Sequence, residues 1–267
     1  MAGPEVHVHS PLLDAMLAHY EWKLSLVALA GIVGGALIGG WLFARIPTVG
    51  TAVRLNAETL AAKMEKPNYA ANHKWNRKWA LGFQVVIFAV ILPFCLTREI
   101  HHWTIILRDM VVILMTYDFV YYLTHRFLFH DSSFLGGPLK WMHAVHHRQH
   151  NPCRWDSSYI HPLEVAIGLG LYIGTTALLS VLMGRFDVPT IVITFIAFTQ
   201  INLHNHNLWT EDRFPWRYLA LLSRMHHNHH AKFTGGNYGT ISLLYDWMFG
   251  TLDYGEEPKA KAVAATG

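Results

Sequence analysis

Five apolar runs, each near the length of a bilayer crossing, constrain what this chain can fold into. They lie at Leu24–Ala44, Trp79–Thr97, Trp103–Leu123, Pro162–Gly184 and Val188–Leu203. A helix rises about 1.5 Å per residue, so about 20 residues cross about 30 Å of hydrocarbon. Only helices and closed barrels satisfy their backbone groups there. The predicted fold is all-α: a polytopic membrane helical bundle of about four to five transmembrane helices with a cytoplasmic helical cap. The fifth run is short and is expected to be tilted or partly buried in protein. Pro93, near the end of the second run, is tolerable in a membrane helix. Charged residues make up only 15% of the chain, against about 25% in soluble proteins.

Basic residues orient the bundle. The segment between the first two runs carries Arg45, Arg54, Lys63, Lys66, Lys74, Arg77 and Lys78, which predicts a cytoplasmic loop at 46–78. An interfacial helix is expected near Val53–Met64. The short connections at 98–102 and 185–187 carry only Arg98 and Arg185 and fit the opposite side, as does the N-terminus with Glu5, Asp14 and Glu21. The segments 125–161, 204–206 and 226–230 are then expected to meet on one membrane face, the cytoplasmic one.

Other counts exclude function classes. Two cysteines, Cys95 and Cys153, cannot build a disulfide framework or an all-cysteine zinc site. A net charge of +3, scattered among apolar runs, argues against a nucleic-acid partner. The start, MAGPEVHVHS, has no basic region or early apolar stretch of a signal peptide.

The chain holds 19 histidines, and 13 of them fall between His125 and His230. Polar groups in or near lipid are costly, so this density needs a chemical reason. HRFLFH contains His125 and His130. HAVHH contains His143, His146 and His147. HNH contains His204 and His206, and HHNHH contains His226, His227, His229 and His230. Helix positions i, i+3 and i+4 share a face, so each HxxHH aims three imidazoles at one region. Only His226 completes that spacing in the last cluster. Two triads, His125, His130 and one or two midpoint histidines make nine or ten candidate ligands. One metal takes about four to six, so a dimetal cage is expected. Imidazole suits zinc, copper, iron and nickel alike. His7, His9, His19, His73, His101 and His102 read as ordinary surface or hydrogen-bonded residues. Haem ligation would need axial residues facing each other, which these dense clusters beyond the helix ends do not suit.

Asp118 lies inside the third run, where a carboxylate is expensive. It shares a face with Tyr122 and His125 and is expected to hold a ligand histidine in the correct tautomer. The ordinary alternative is a polar contact to a neighbouring helix. Arg108 and Asp109 read as an ion pair or a packing contact.

The stretches DFVYYLTHRFLFH, KWMHAVHH, and HHNHH followed by NYGTISLLYDWMFGTLDY resemble the fatty acid hydroxylase/sterol desaturase superfamily, as does the HPLE of SSYIHPLE. Tyr245 stands where the family ending usually has Trp. The resemblance covers residues 105–254. It implies a membrane non-haem di-iron oxygenase that uses O2 and two electrons to hydroxylate or desaturate a sterol, fatty-acyl or sphingolipid-like substrate. By position it implies metal ligands His125, His130, His143, His146, His147, His226, His229 and His230. Family spacing favours His206 over His204 as the midpoint ligand. The histidine expected four residues later in 2-hydroxylases is Thr210 here. His161 and Glu164 match the HPLE stretch as less certain ligands, and Asp246 matches the family ending as a supporting carboxylate. His150 and His227 are surplus to the motifs.

The division implied is membrane helices and an amphipathic loop at 1–104, a catalytic domain at 105–254 and a disordered tail at 255–267. Two iron ions are expected, with O2 as co-substrate and zinc as a substitute in purified protein. No reductase or haem domain is visible, so a separate cytochrome b5- or ferredoxin-like donor with its reductase is expected. The competing readings are a non-catalytic membrane zinc-binding or metal-transport protein and, within the enzyme class, an ether-lipid or lipid-headgroup hydroxylase.

Overall fold

The computed structural model describes residues 17–130 and 135–255; all of the predicted disordered tail at 255–267 except Gly255 lies outside them. Each apolar run falls on a helix. The helices are α1 (Trp22–Phe43), α2 (Pro47–Met64), α3 (Pro67–Cys95, with a π-helical stretch at Ile87–Ile91), α4 (Trp103–Thr124), α5 (Lys140–His146), α6 (Pro162–Met183), α7 (Val188–Asn205), α8 (Arg217–Ala231) and α9 (Leu244–Met248). No strand occurs among the described residues. A lone bridge joins Leu96 to Phe186 and ties the connection after α3 to that after α6.

By length and composition, α1, α3 and α6 can each cross a membrane. Helices α4 and α7, on the third and fifth runs, are less apolar because α4 carries Arg108, Asp109 and Asp118 and α7 carries Gln200, Asn202, His204 and Asn205. Helix α4 contributes Ile113, Leu114 and Tyr117 to the core, α7 contributes Ile191, Phe195 and Phe198, and α6 adds Tyr172 and Ile173. Arg108 pairs with Asp109 near the start of α4. The glycines of α1 explain its close packing on α7. A Cβ on Gly31 would lie 2.9 Å from Val192, and one on Gly35 would lie 2.8 Å from Ile196. Small residues let membrane helices approach in this way.

The segment read as a long loop at 46–78 with a helix near Val53–Met64 is helical throughout most of its length: α2 covers the expected helix and extends it back to Pro47, and α3 begins at Pro67. Pro47 and Pro67 stand in the first turns of α2 and α3, where a missing N–H costs nothing. Helix α3 thus begins twelve residues before the apolar run it carries. Its polar half is retained because it holds the chain at 153–160. Asn76 Nδ2 donates to the carbonyls of Ser158 and Ile160, and Asn72 Nδ2 donates to Ile160. Asn56 of α2 accepts from the N–H of Arg154 and of Leu208.

Asp156 closes this latch. Its buried carboxylate accepts from the Lys63 ammonium, the Tyr69 hydroxyl and the Cys153 N–H. Asp156→Ala leaves those donors short of a partner, at a cost of about 1–3 kcal/mol. The expected result is a lower melting temperature in detergent; an unchanged one contradicts the latch.

Candidate metal centre

Helix α4 runs into a π-helical turn at His125–Phe129. The His130 N–H donates to the His125 carbonyl at 3.1 Å, an i→i+5 bond. In an α-helix, residues five apart point about 140° away from each other. The wider turn brings them to one side, and such turns recur at functional sites. The HxxxxH spacing therefore works here because the helix widens at that point.

Nine buried imidazoles converge in two groups. His125, His130, His143, His147 and His229 form one, and His146, His206, His226 and His230 form the other. Within each group, the available ligand atoms lie within 4.8 Å of one another. The two HxxHH triads are divided reciprocally. From α5 and its C-terminal residue, the i and i+4 pair, His143 and His147, enters the first group, while His146 enters the second. From α8, the i and i+4 pair, His226 and His230, enters the second group, and His229 enters the first. The groups are adjacent: the rings of His147 and His230 stack at 4.8 Å between centroids.

The outward nitrogens reveal the tautomers. His125 Nδ1 donates to the Tyr238 carbonyl at 2.8 Å, His130 Nδ1 to Phe233 at 2.6 Å, and His229 Nδ1 to Gly236 at 2.8 Å. His146 Nδ1 donates to Tyr159 at 3.2 Å, and His206 Nδ1 to Asn202 at 3.0 Å. His143 Nδ1 donates to the Glu164 carboxylate at 2.8 Å. A carbonyl can only accept, so the five Nδ1 atoms facing carbonyls carry the proton, and Nε2 keeps its lone pair. The same assignment is natural for His143 opposite its carboxylate. Burial pushes the pKa of His130 and His146 down to about 4, and drives those of His125, His143, His206, His226, His229 and His230 well below the usual imidazole range. The rings are therefore neutral.

Those Nε2 atoms face one another at close range. His125 and His143 lie 3.0 Å apart, and His147 is 3.1 Å from both His143 and His229. In the second group His206 stands 3.0 Å from His146, 3.0 Å from His226 and 3.2 Å from His230. Where both rings have Nδ1 held by an acceptor, at His125–His143, His125–His130 and His146–His206, lone pairs aimed at each other without a proton between them repel, and their burial in a low dielectric strengthens the repulsion; Nδ1 of His147, His226 and His230 has no such acceptor. A cation at each focus turns that repulsion into ligation. The donor set, nine imidazoles of which six are held by outer hydrogen bonds, fits a metal pair.

Half of the outer partners come from one segment, residues 233–242, whose role the sequence reading missed. Its backbone supplies the Phe233, Gly236 and Tyr238 carbonyls. The NYG motif was the available signal. Asn237 adopts φ +66°, and its side chain donates to the Met225 and Asp253 carbonyls. A Cβ on Gly236 would lie 1.7 Å from the Thr251 carbonyl oxygen, so only glycine fits.

Asp118 requires a correction. It contacts no ligand histidine. Its carboxylate accepts from the N–H groups of Thr240, Ile241 and Ser242 and from the Ser242 hydroxyl. Its helix face is covered by this segment, whose backbone donors claim the carboxylate. Asp246 does the same from the other side, accepting from the Tyr238 and Gly239 N–H groups and the Thr251 hydroxyl. Both carboxylates thus reach the histidines through the backbone that they hold.

His204 stands outside both groups, its Nε2 donating to the Leu219 carbonyl. His161 also lies apart: its Nδ1 accepts from the Leu163 N–H at the start of α6, and its ring packs on Trp141. Glu164, three residues later, points to the centre through His143. Substitution of His206 by Ala is expected to lower bound metal per chain, and His204→Ala to leave it unchanged, measured by elemental analysis. Equal loss in both variants contradicts the grouping.

Residues 110–251 match the model of the fatty acid hydroxylase family. The chain is 27% identical over 157 residues to a very-long-chain aldehyde decarbonylase, GL1-11, of Oryza sativa subsp. indica, covering 56% of this chain and 54% of that protein. It is 25% identical over 165 residues to methylsterol monooxygenase 2-1 of Arabidopsis thaliana, covering 56% and 57%. It is 30% identical over 139 residues to methylsterol monooxygenase 1 of Rattus norvegicus, covering 50% and 43%. The chain spans about half the length of these relatives. No solved structure gives a significant match.

Proposed function

The chain belongs to the fatty acid hydroxylase family, and from that premise we propose a membrane-bound, O2-dependent lipid hydroxylase or desaturase with residues 105–254 as its catalytic unit. The observation that carries this reading is the double group of nine buried imidazoles, six of them with Nδ1 held by an acceptor and Nε2 turned inward. His125, His130, His143, His147 and His229 would hold one iron, and His146, His206, His226 and His230 the other. Zinc suits the same nitrogens and can occupy them in purified protein.

An unactivated C–H bond has no acidic proton, so no general base of this chain can start its oxidation. Two bound irons supply what the side chains lack, the ability to bind and reduce O2. The chain's own groups do the rest. Carbonyls of 233–238, Tyr159 and Asn202, with Glu164, keep the protons on Nδ1 and aim Nε2 inward. Burial of the imidazoles excludes bulk water. Helices α1, α3 and α6 seat the centre in a bilayer, from which a sterol, fatty-acyl or sphingolipid-like substrate can reach it. Hydroxylation converts R–H to R–OH and forms one water, consuming one O2, two electrons and two protons. Desaturation consumes the same and forms two waters. The electrons come from a separate cytochrome b5- or ferredoxin-like donor with its reductase. Basic residues between α1 and α3 favour the cytoplasmic side for the centre.

Metal transport would call for ligands at the bilayer midplane on broken helices. These groups gather instead at the ends of α4 and α7. Relatives named for methylsterol and very-long-chain aldehyde substrates favour lipid chemistry. The test compares total lipids from cells with the intact gene, with the gene deleted, and with His146→Ala, all under aerobic growth. An oxidised or unsaturated lipid is expected only with the intact gene. Identical lipids in all three contradict the reading; ether-linked or headgroup-oxidised products would narrow the substrate class.

A further inference from the structure

The short helix α9 carries an exposed face that the centre does not use. Leu244, Trp247, Met248 and Phe249 are 42%, 69%, 56% and 46% exposed. The one charge in this stretch, Asp246, is fully buried and satisfied by the donors already described. The outward face is therefore entirely apolar.

Its position on α4 gives its depth. The Tyr245 hydroxyl donates to the Met115 carbonyl at 2.9 Å. The Tyr245 ring packs on Phe119, and the Phe249 ring stacks on Tyr122. Met115 lies about 18 Å from the start of α4 and about 14 Å from its end, at about 1.5 Å per residue. Helix α9 thus sits beside the middle and later turns of a bundle helix. It also continues an exposed stripe. Trp103, Leu107 and Val111 face outward on α4, and the same face continues as Met115, Phe119 and Tyr122, which α9 covers. Helix α9 presents its own apolar face where theirs is hidden.

Irregular chain at such depth is tolerated only where its backbone groups are paired. Asp118 takes three N–H groups of 240–242, and Asp246 takes those of Tyr238 and Gly239. An apolar patch of this kind facing water would be an association liability. Facing acyl chains it is matched.

We infer that Leu244–Phe249 is inserted into the hydrocarbon of the bilayer, with lipid acyl chains as its occupant, and that it anchors the carbonyl-bearing segment 233–242 to the membrane. The inference rests on the membrane reading and is independent of the reaction catalysed. Its test uses nitroxide labels on the full chain in phosphatidylcholine vesicles. Cys95 and Cys153 are 2% and 0% exposed, so labelling goes to an introduced cysteine. Trp247→Cys is compared with Val181→Cys, on the outer face of α6, and with Glu65→Cys, in the polar link between α2 and α3. The readout is accessibility to O2 relative to chromium oxalate. The ratio at Trp247→Cys is expected to rise from the Glu65→Cys value to the Val181→Cys value. Met248→Cys repeats the test if the tryptophan variant does not fold. A Glu65-like ratio at both positions overturns the inference while Val181 stays lipid-like. A water-like ratio at Val181 as well overturns it together with the membrane reading.

Discussion

The inward-facing nitrogens of nine buried imidazoles, six of them with the proton held on Nδ1, are the interaction on which the rest of this structure depends. Neutral nitrogens about 3 Å apart in a dry interior repel unless a cation stands between them. The bundle brings them together nonetheless, from the end of α4, from α5, from the end of α7 and from α8. Each neighbouring feature is explained by what it does for those rings. The π-helical turn aligns His125 with His130. The reciprocal division of the triads lets each of two helices serve both foci, so neither metal position can be assembled from one helix alone.

Much of the remaining structure is a frame for carbonyl groups. Segment 233–242 lacks regular structure of its own, yet three of its carbonyls determine the tautomers of His125, His130 and His229. Asp118 and Asp246 hold its N–H groups, while Asn237 and Gly236 permit its close turn against Thr251. On the other side, α2 and α3 brace 153–160 through Asn56, Asn76 and Asp156, and the Tyr159 carbonyl there receives His146. The membrane helices, the latch and the C-terminal motif thus converge on one requirement, a proton kept on Nδ1 of six of the nine rings.

The helices and the histidine clusters were legible in the sequence because both depend on spacing along one chain. Apolar runs mark helices wherever they fall, and HxxHH aims three rings wherever it is helical. The start of α3 was less legible, because its polar first half is stabilised by distant carbonyls that no local pattern reveals. Asp118 was recognisable as a functional carboxylate from its cost in an apolar run. Its partner was not, because backbone N–H groups carry no sequence signature. The NYG motif was visible as a family feature, but its physical reasons, the positive φ of Asn237 and the approach of Gly239 to the Ser242 carbonyl, required the tertiary fold. Family spacing favoured His206 over His204, but the physical reason, the direction of the chain leaving α7, required the fold.

The most direct test of the central claim is the metal content and ligation of the intact chain, purified after iron-replete expression. Elemental analysis with X-ray absorption at the iron edge reads both. The account predicts two irons per chain in nitrogen-dominated coordination, with imidazole scattering in the outer shells. One metal or none per chain, or coordination dominated by sulfur or by oxygen alone, would contradict it.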